Sequence, residues 1–297
     1  MSLIALLAAC HEPTTSDEPQ TDADADSDTD ADSDADADAD SDADTDLEHT
    51  GTWEDTGTGP QLPDDGYLTV VWVKTNTEQP QAYLIGEVYT ENAPGVSGVA
   101  FRRPHGPDDC RLTRYTLEQL SQGSLPDRTA ESAGALTLTS PTSAPRTIPL
   151  GGDGSYYATL DAGTVPFGQA WSVSAPGASF PAFDAPDGIG MPAARTLSAP
   201  SAGFSVGGDL ELAWTGGDGT LLTLTIEATG SSTDRALIQC SVIDDGAFAV
   251  PAALTSQLPG GRVSVRLDQS RTDHLEVDGR WLRLTGSVVD VVVGSAP

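Results

Sequence analysis

The sequence predicts an all-β protein in which a disordered acidic N-terminal arm precedes two antiparallel β-sandwich domains. Three observations predict this fold class. Residues 1–65 hold 21 of the 45 acidic side chains and neither Lys nor Arg. Glycine and proline make up 45 of residues 66–297, a density too high for a helical protein. Between the turn residues, apolar and polar side chains alternate with the period of a half-buried strand.

The segment 1–10 is apolar and ends in Leu7-Ala8-Ala9-Cys10. This ending resembles the lipobox of bacterial lipoproteins, in which the cysteine thiol receives a diacylglycerol and cleavage makes that cysteine the mature N-terminus. The resemblance implies that Cys10 is lipidated. A signal peptide opens with basic residues and a longer apolar stretch, so we expect the true start of translation to lie upstream. The competing interpretation is an apolar strand or helical turn with a buried cysteine.

His11, rather than Asp, follows the cysteine. In the lipoprotein family this implies the default sorting to the outer membrane. We therefore expect a cell-envelope protein that is held to the outer membrane by its lipid and is exposed at the surface or faces the periplasm. No other stretch approaches 18 apolar residues, so the sequence predicts no transmembrane helix.

The arm, 11–65, is dominated by aspartates at every second position from Asp22 to Asp46, separated by Ala, Ser or Thr. This alternation offers no apolar face to bury, and its like charges repel, so it predicts an extended, disordered tether. The alternative is calcium binding. Loops that bind Ca²⁺ specifically converge six to eight oxygens on the ion and use a glycine to turn the chain. The run 22–46 has no glycine, so we expect diffuse condensation of Ca²⁺ and no specific metal site.

The remaining chain, 66–297, is mildly acidic, with 24 acidic and 14 basic side chains. It has no basic stripe that would neutralise phosphates, which argues against nucleic-acid binding. A polybasic membrane patch is excluded for the same reason.

Strands are predicted throughout this body. The alternation is clearest in 209–214, 221–227 and 262–268, where one face of each segment is apolar. Six Asp-Gly pairs predict tight turns, because both residues tolerate a positive φ. Short helical turns are expected at 115–121 and 252–258. Further strands are predicted at 67–74, 82–89, 98–102, 111–116, 135–139, 156–160, 170–174, 236–243 and 280–293.

We expect the body to divide into a β-sandwich domain at 66–196 and a second at 197–297. The second has a Pro-containing entry, a strand that ends in Trp214, a Gly-rich hairpin and further strands to the end. In this order it resembles fibronectin-III and immunoglobulin-like modules. The whole layout resembles uncharacterised lipoproteins of high-GC Gram-negative bacteria, a class that implies a location and an architecture but no uniform activity.

Two cysteines remain in the body if Cys10 carries a lipid. In an oxidising compartment, Cys110 and Cys240 suggest one disulfide that joins the two halves. Cys240 shares a strand face with Ile238 and Val242, a placement that is equally typical of a small buried hydrophobe. The sequence leaves both interpretations open.

Catalytic and metal motifs are absent from the sequence: it has no Cys-x-x-Cys, His-Glu-x-x-His or Gly-x-Ser-x-Gly. His105 with Asp108, Asp109 and Cys110 is the one compact polar cluster. A functional interpretation of this cluster is a loop metal site or a Cys/His nucleophile pair. The alternative, which we favour, is an exposed loop of turn-forming residues.

Paired carboxylates and tryptophans suggest two further sites. Asp244-Asp245-Gly246 fits a hairpin turn better than an acid/base pair. Five tryptophans raise the idea of sugar stacking, but Trp72, Trp214 and Trp281 fall in strand patterns and are expected in the core.

The sequence therefore predicts a non-enzymatic, surface-tethered binding or structural module, with no cofactor. We expect a monomer with an unidentified extracellular or envelope ligand. The alternatives are an anchored or secreted hydrolase of an envelope or external polymer, for which two carboxylates at the correct separation would suffice, and a Ca²⁺-dependent adhesin.

Overall fold

The computed structural model describes residues 64–76, 78–216, 220–230 and 233–297, and within them the predicted all-β fold is confirmed. The segment 1–10 with Cys10, and the arm up to residue 63, lie outside the described residues. The strands, in chain order, are β1 (Gly66–Thr75), β2 (Gln81–Ala93), β3 (Asp109–Thr116), β4 (Asp127–Ala130), β5 (Leu136–Ser140), β6 (Ser143–Ile148), β7 (Ser155–Leu160), β8 (Ala170–Ala175), β9 (Phe183–Gly190), β10 (Arg195–Ala199), β11 (Leu210–Gly216), β12 (Leu221–Gly230), β13 (Asp234–Ile243), β14 (Ala247–Val250), β15 (Gly261–Val277) and β16 (Arg280–Ala296).

Both predicted helical turns are present in shortened form, as α1 (Leu117–Ser121) and α2 (Ala252–Thr255). Thr116 caps α1: its side chain accepts from the backbone N–H of Gln119, whose own side chain accepts from the backbone N–H of Thr116. This reciprocal pair is a capping box, which satisfies two backbone donors that the helix leaves free.

The largest sheet contains nine of the described strands. Its order is β3-β13-β12-β15-β16-β1-β2-β4, and β7 also pairs with β2. Two smaller sheets have the orders β10-β11-β14 and β6-β5-β8-β9. The pairing of β1 with β16 is parallel, which corrects the expectation of purely antiparallel sheets. Parallel neighbours need a long crossover, and here nearly the whole body supplies it.

The small sheets lie against the large one in a sandwich-like arrangement with two main hydrophobic cores. The first core draws on β1, β2, β5, β7, β8 and β9, and the second on β11, β12 and β13. The strands β15 and β16, of 17 residues each, contribute side chains to both cores. The predicted boundary at 196/197 therefore does not divide the sheet: β3 pairs with β13 and β1 with β16 across it. Alternation identifies strands but not their partners.

The predicted alternation itself is confirmed. Leu222, Leu224 and Ile226 are buried, and so are the three apolar residues predicted on the inner face at 262–268. The strand expected at 98–102 is wrong. Val99 and Phe101 instead lie in a loop that packs on Tyr115 and Leu237, and the backbone N–H of Arg102 donates to the side-chain hydroxyl of Thr113 on β3 rather than to a backbone carbonyl of a neighbouring strand.

The Asp-Gly pairs have different outcomes. Asp278-Gly279 forms the two-residue β15–β16 turn with φ of 51° and 78°, as the positive-φ argument requires. Asp187-Gly188 lies inside β9 instead, at an irregularity in its pairing with β8, and Asp187 has φ of 55°. A bulge demands the same backbone freedom as a turn, so the dipeptide alone does not distinguish them.

Candidate functional site

An open cleft of about 780 Å³ lies where β1 ends, β2 begins and β7 ends. Its volume falls within the range of small-molecule and cofactor sites in proteins. The exposed Tyr157, the half-buried Tyr83 and several polar side chains line it above an aromatic floor. We call it the tyrosine cleft, and its side chains used below are Trp72, Gln79, Gln81, Tyr83, Tyr157, Thr159, Asp161 and Phe167.

The floor of the tyrosine cleft belongs to the first core. Trp72, buried on β1, meets Phe167 edge to face, with ring centroids 5.3 Å apart. Phe167 follows a 3₁₀ turn (Ala162–Thr164) whose N-cap is Asp161, and the Asp161 carboxylate accepts from the backbone N–H of Gly163 at 3.0 Å. The turn is thus fixed locally, so the floor is held in place before any ligand arrives.

The tyrosines are brought together by the pairing of β2 with β7. Tyr83 aligns with Thr159 and Ile85 with Tyr157, so the two tyrosines are diagonal neighbours on one face of the sheet. Their ring centroids are 5.9 Å apart and the ring planes differ by 27°.

Adjacent tyrosines on β7 have opposite roles. Tyr156 is fully buried, and its hydroxyl donates to the carbonyl of Gly134 and accepts from the N–H of Ala133. Tyr157 points to the other face and is 47% exposed. Strand alternation accounts for this separation of a structural tyrosine from one that is available to a ligand.

The chemistry of the cleft is polar but not cationic. None of the described residues that line it is Lys, Arg or His. Its polar groups are the amides of Gln79 and Gln81, the hydroxyl groups and one carboxylate. Burial, then Tyr157 and Glu78, raise the pKa of Tyr83, so its hydroxyl stays protonated at neutral pH and donates to the Gln81 side-chain oxygen.

A charged cluster fixes the opposite end of β1. Arg280 contacts Glu131 at 2.8 Å and Asp65 at 3.5 Å, and Arg283 contacts Asp64 at 2.9 Å. We call these five side chains the arginine clamp. The Asp65 carboxylate also accepts from the backbone N–H of Trp281, at 2.9 Å. The clamp holds the chain where β1 starts, and Trp72 in the floor of the tyrosine cleft lies six residues along the strand from Gly66, about 20 Å away.

The predicted cysteine pair is bonded: Cys110 and Cys240 form a disulfide with a Cα–Cα distance of 4.1 Å. The two residues lie directly opposite each other in the β3–β13 ladder. Cys240 is fully buried, so the alternative placement as an inward small side chain is also observed. Because the Cys110 sulfur is in the disulfide, it is not available as a thiolate nucleophile beside His105.

The polar cluster around His105 organises a loop, as we favoured. The backbone N–H of His105 donates to the Asp109 carboxylate at 2.8 Å. This hydrogen bond and the Arg111 guanidinium lower the pKa of the Asp109 carboxyl, whereas burial acts in the opposite direction. Asp108 accepts from the backbone N–H of Ile243 at 3.2 Å. In the part of the chain that is described, no group of three or more His, Cys, Asp or Glu is placed to hold a metal ion.

The acidic pair Asp244-Asp245 forms the predicted turn between β13 and β14. Asp244 accepts from the Trp214 indole N–H at 2.6 Å and Asp245 from the N–H of Ala247 at 3.3 Å. Two other acids, Glu227 and Asp290, have a pKa raised by burial, but neither lines the tyrosine cleft.

The tryptophans expected in the core are found there in two of three cases. Trp72 and Trp214 are buried, while Trp281 is half-buried. Sequence reasoning missed the tyrosines that line the cleft. The signal was weak but present: Tyr83 and Tyr157 occupy the polar phase of strands whose apolar phase is clear.

A second, smaller cleft of about 420 Å³ lies beside β3 and β13. Its arginines are already engaged, since Arg114 donates to the carbonyl of Gln257 at 2.7 Å and Arg235 to that of Asp234 at 2.9 Å. The tyrosine cleft is therefore the stronger candidate for a ligand.

Comparison of the chain with protein-family models, with curated proteins and with solved structures finds no match. Among the described residues, no helix is both long and apolar enough to cross a bilayer.

Proposed function

We propose that the protein is a non-enzymatic, surface-tethered binding module of the cell envelope that uses the tyrosine cleft as its ligand surface. One observation carries the proposal: the arginine clamp lies at the start of β1, whereas Trp72, the residue of β1 that lines the tyrosine cleft, lies in the second half of the strand. A tether that arrives at Asp64 is held at one end of the strand, and the cleft is presented towards the other. A module attached to a surface needs this orientation, because a ligand approaches from the side away from the anchor.

The lipobox-like ending at Cys10 and the acidic arm support an anchor in the outer membrane. The lipid is then the membrane contact, and the aspartate run is a self-repelling stalk. Two acyl chains on one cysteine give stable attachment, whereas a single chain gives only reversible binding.

The chemistry of the cleft favours binding over hydrolysis. Glycoside hydrolysis uses two carboxyl groups that flank the scissile bond. Asp161 supplies the one carboxylate among the described residues of the cleft lining, and it is already used to cap a turn.

The anchor is tested by expressing the gene with its upstream codons in a Gram-negative host that is fed a clickable fatty acid. We expect the wild type to be labelled and Cys10→Ala to lose the label. The matched control is the double variant Cys110→Ala/Cys240→Ala, which should remain labelled. Protease or biotin treatment of intact cells then tests exposure at the surface. An unlabelled wild type, or a label that survives Cys10→Ala, contradicts the proposed anchor.

A further inference from the structure

We propose that the tyrosine cleft binds a neutral polysaccharide, with Tyr83 and Tyr157 as the surface on which its sugar rings stack. This inference rests on the proposed function and specifies its ligand.

The aromatic geometry is the first argument. A pyranose ring presents a face of C–H groups that lies flat against an aromatic ring. The rings of the two tyrosines are stacked, with centroids 5.9 Å apart and planes that differ by 27°, so they form one aromatic unit at the cleft, to which the exposed ring of Tyr157 contributes the open part. Tyr157 leaves 47% of its surface in water, a large apolar area on a protein whose tryptophans are mostly buried. Tyrosine combines such an apolar body with a polar tip and is a common anchor of binding surfaces.

The polar groups around the rings are the second argument. Gln79 and Gln81 are exposed beside the tyrosines, and each amide can donate and accept hydrogen bonds. Sugar hydroxyl groups also donate and accept, so amides match them in both roles. The hydroxyl of Thr159 and the carboxylate of Asp161 add further partners along the same edge.

Charge selects among sugar polymers. The described lining contains no cation, and residues 66–297 carry ten more acidic than basic side chains. A polymer with carboxylate or sulfate groups would meet this acidic surface with no cation among the described lining residues, and the Arg146 guanidinium beside the cleft already donates to the carbonyl of Thr159. A neutral polymer avoids this cost.

An extended peptide is disfavoured by the state of the neighbouring strand edge. Peptides that add to a sheet require free backbone groups on an edge strand. On β7, the carbonyl of Thr159 accepts from the Arg146 guanidinium at 2.6 Å, and Tyr156 forms a bridge with Leu150. The edge next to the cleft is therefore already occupied, while the aromatic face remains open.

Native electrophoresis of the purified full chain in gels that contain a soluble polysaccharide tests the inference. The neutral probes are hydroxyethyl cellulose, dextran and galactomannan, and alginate is the anionic probe. We expect at least one neutral polymer, but not alginate, to retard the wild type. The double variant Tyr83→Ala/Tyr157→Ala should lower the affinity about tenfold or more, which is the loss expected on removal of an interface anchor. Tyr157→Phe should keep most of the binding, because it keeps the ring.

Leu125→Ala is the matched control, since Leu125 is 88% exposed and lies outside the cleft lining. It should bind like the wild type, and thermal unfolding should show that all variants remain folded. Absence of retardation in all three neutral gels overturns the inference, and so does retardation that the double tyrosine variant leaves unchanged. Neither result affects the labelling of Cys10, so a failed ligand assignment is distinguishable from a failed anchor.

Discussion

Removal of the Cys110–Cys240 bridge should destabilise the body by several kilocalories per mole. The two cysteines are 130 residues apart in sequence. In the chain-entropy model, closing a loop of that length restricts the unfolded chain by about 5 kcal/mol at 25 °C. For a domain of this size, such a loss corresponds to a fall in melting temperature of about 10–20 °C. The bridge also joins β3 to β13, so it links the two sides of the predicted domain boundary.

Urea denaturation at neutral pH measures this effect. The comparison is between oxidised wild type, wild type under reductant, and Cys110→Ala/Cys240→Ala. Reduced wild type and the double variant should lose similar amounts of unfolding free energy relative to the oxidised wild type, since replacing a cysteine by alanine removes little volume from the core. Thiol titration of unfolded protein should find two more thiols after reduction than before. An oxidised wild type within about 1 kcal/mol of the double variant would refute the loop-closure reasoning, and equal thiol counts would refute the bridge itself.

Two further predictions concern charged groups. Arg280→Gln leaves the shielded Glu131 carboxylate without its guanidinium partner and should lower the free energy of unfolding, measured by urea denaturation, by about 2–3 kcal/mol. The control is Arg128→Gln, which breaks a more exposed pair with Glu91 and should lower it by less than about 1 kcal/mol. The hydrogen bond from Arg280 lowers the pKa of Glu131, so the stabilisation it gives is present above the unfolded-state pKa of ~4.3 and is lost as the pH falls through the folded-state pKa. Glu131→Gln should therefore show a smaller loss of unfolding free energy on acidification than the wild type. An equal loss in both proteins would contradict the assignment to Glu131. Burial raises the pKa of Asp290 against the opposing effect of Arg195, so its neutral form is favoured in the fold and stability falls as the pH rises above the ordinary range near ~3.9. Asp290→Asn should accordingly be the more stable protein at neutral pH, by a margin that narrows towards pH ~4. A less stable variant at neutral pH would show that the electrostatic attraction of the carboxylate to Arg195 outweighs the cost of its burial.

Most strands could be predicted from the sequence because burial leaves a periodic signature. The segments with three or more alternating apolar residues all form strands, although β15 continues nine residues beyond the predicted end at residue 268. The strands that were missed have weak signatures. β9 contains Pro186 and Gly188, β6 is mostly exposed, and β4, β10 and β14 have four or five residues each.

Pairing between distant strands could not be predicted. The β1–β16 pair joins the two ends of the body, and nothing local in either segment specifies a parallel partner. The tyrosine cleft depends on pairing of the same kind. Tyr83 and Tyr157 are far apart in sequence, and only the alignment of β2 with β7 makes them neighbours. Candidate sites built from adjacent residues, such as His105 with Cys110, were visible in the sequence but serve the loop and the disulfide.

The position of β1 between β2 and β16 has a mechanical consequence. Under the proposed function, a pull between the membrane anchor and a ligand held on Tyr83 and Tyr157 would enter through β2 and β7 and leave at the start of β1. Its ladders extend from Gly66 to Val73 with β2 and from Gly66 to Thr75 with β16. Force applied along a strand with neighbours on both sides loads many hydrogen bonds at once in shear, whereas force across a sheet edge opens them one after another. If the proposed anchor and ligand are correct, the ladders of β1 are the hydrogen bonds that would resist drag on a bound polymer.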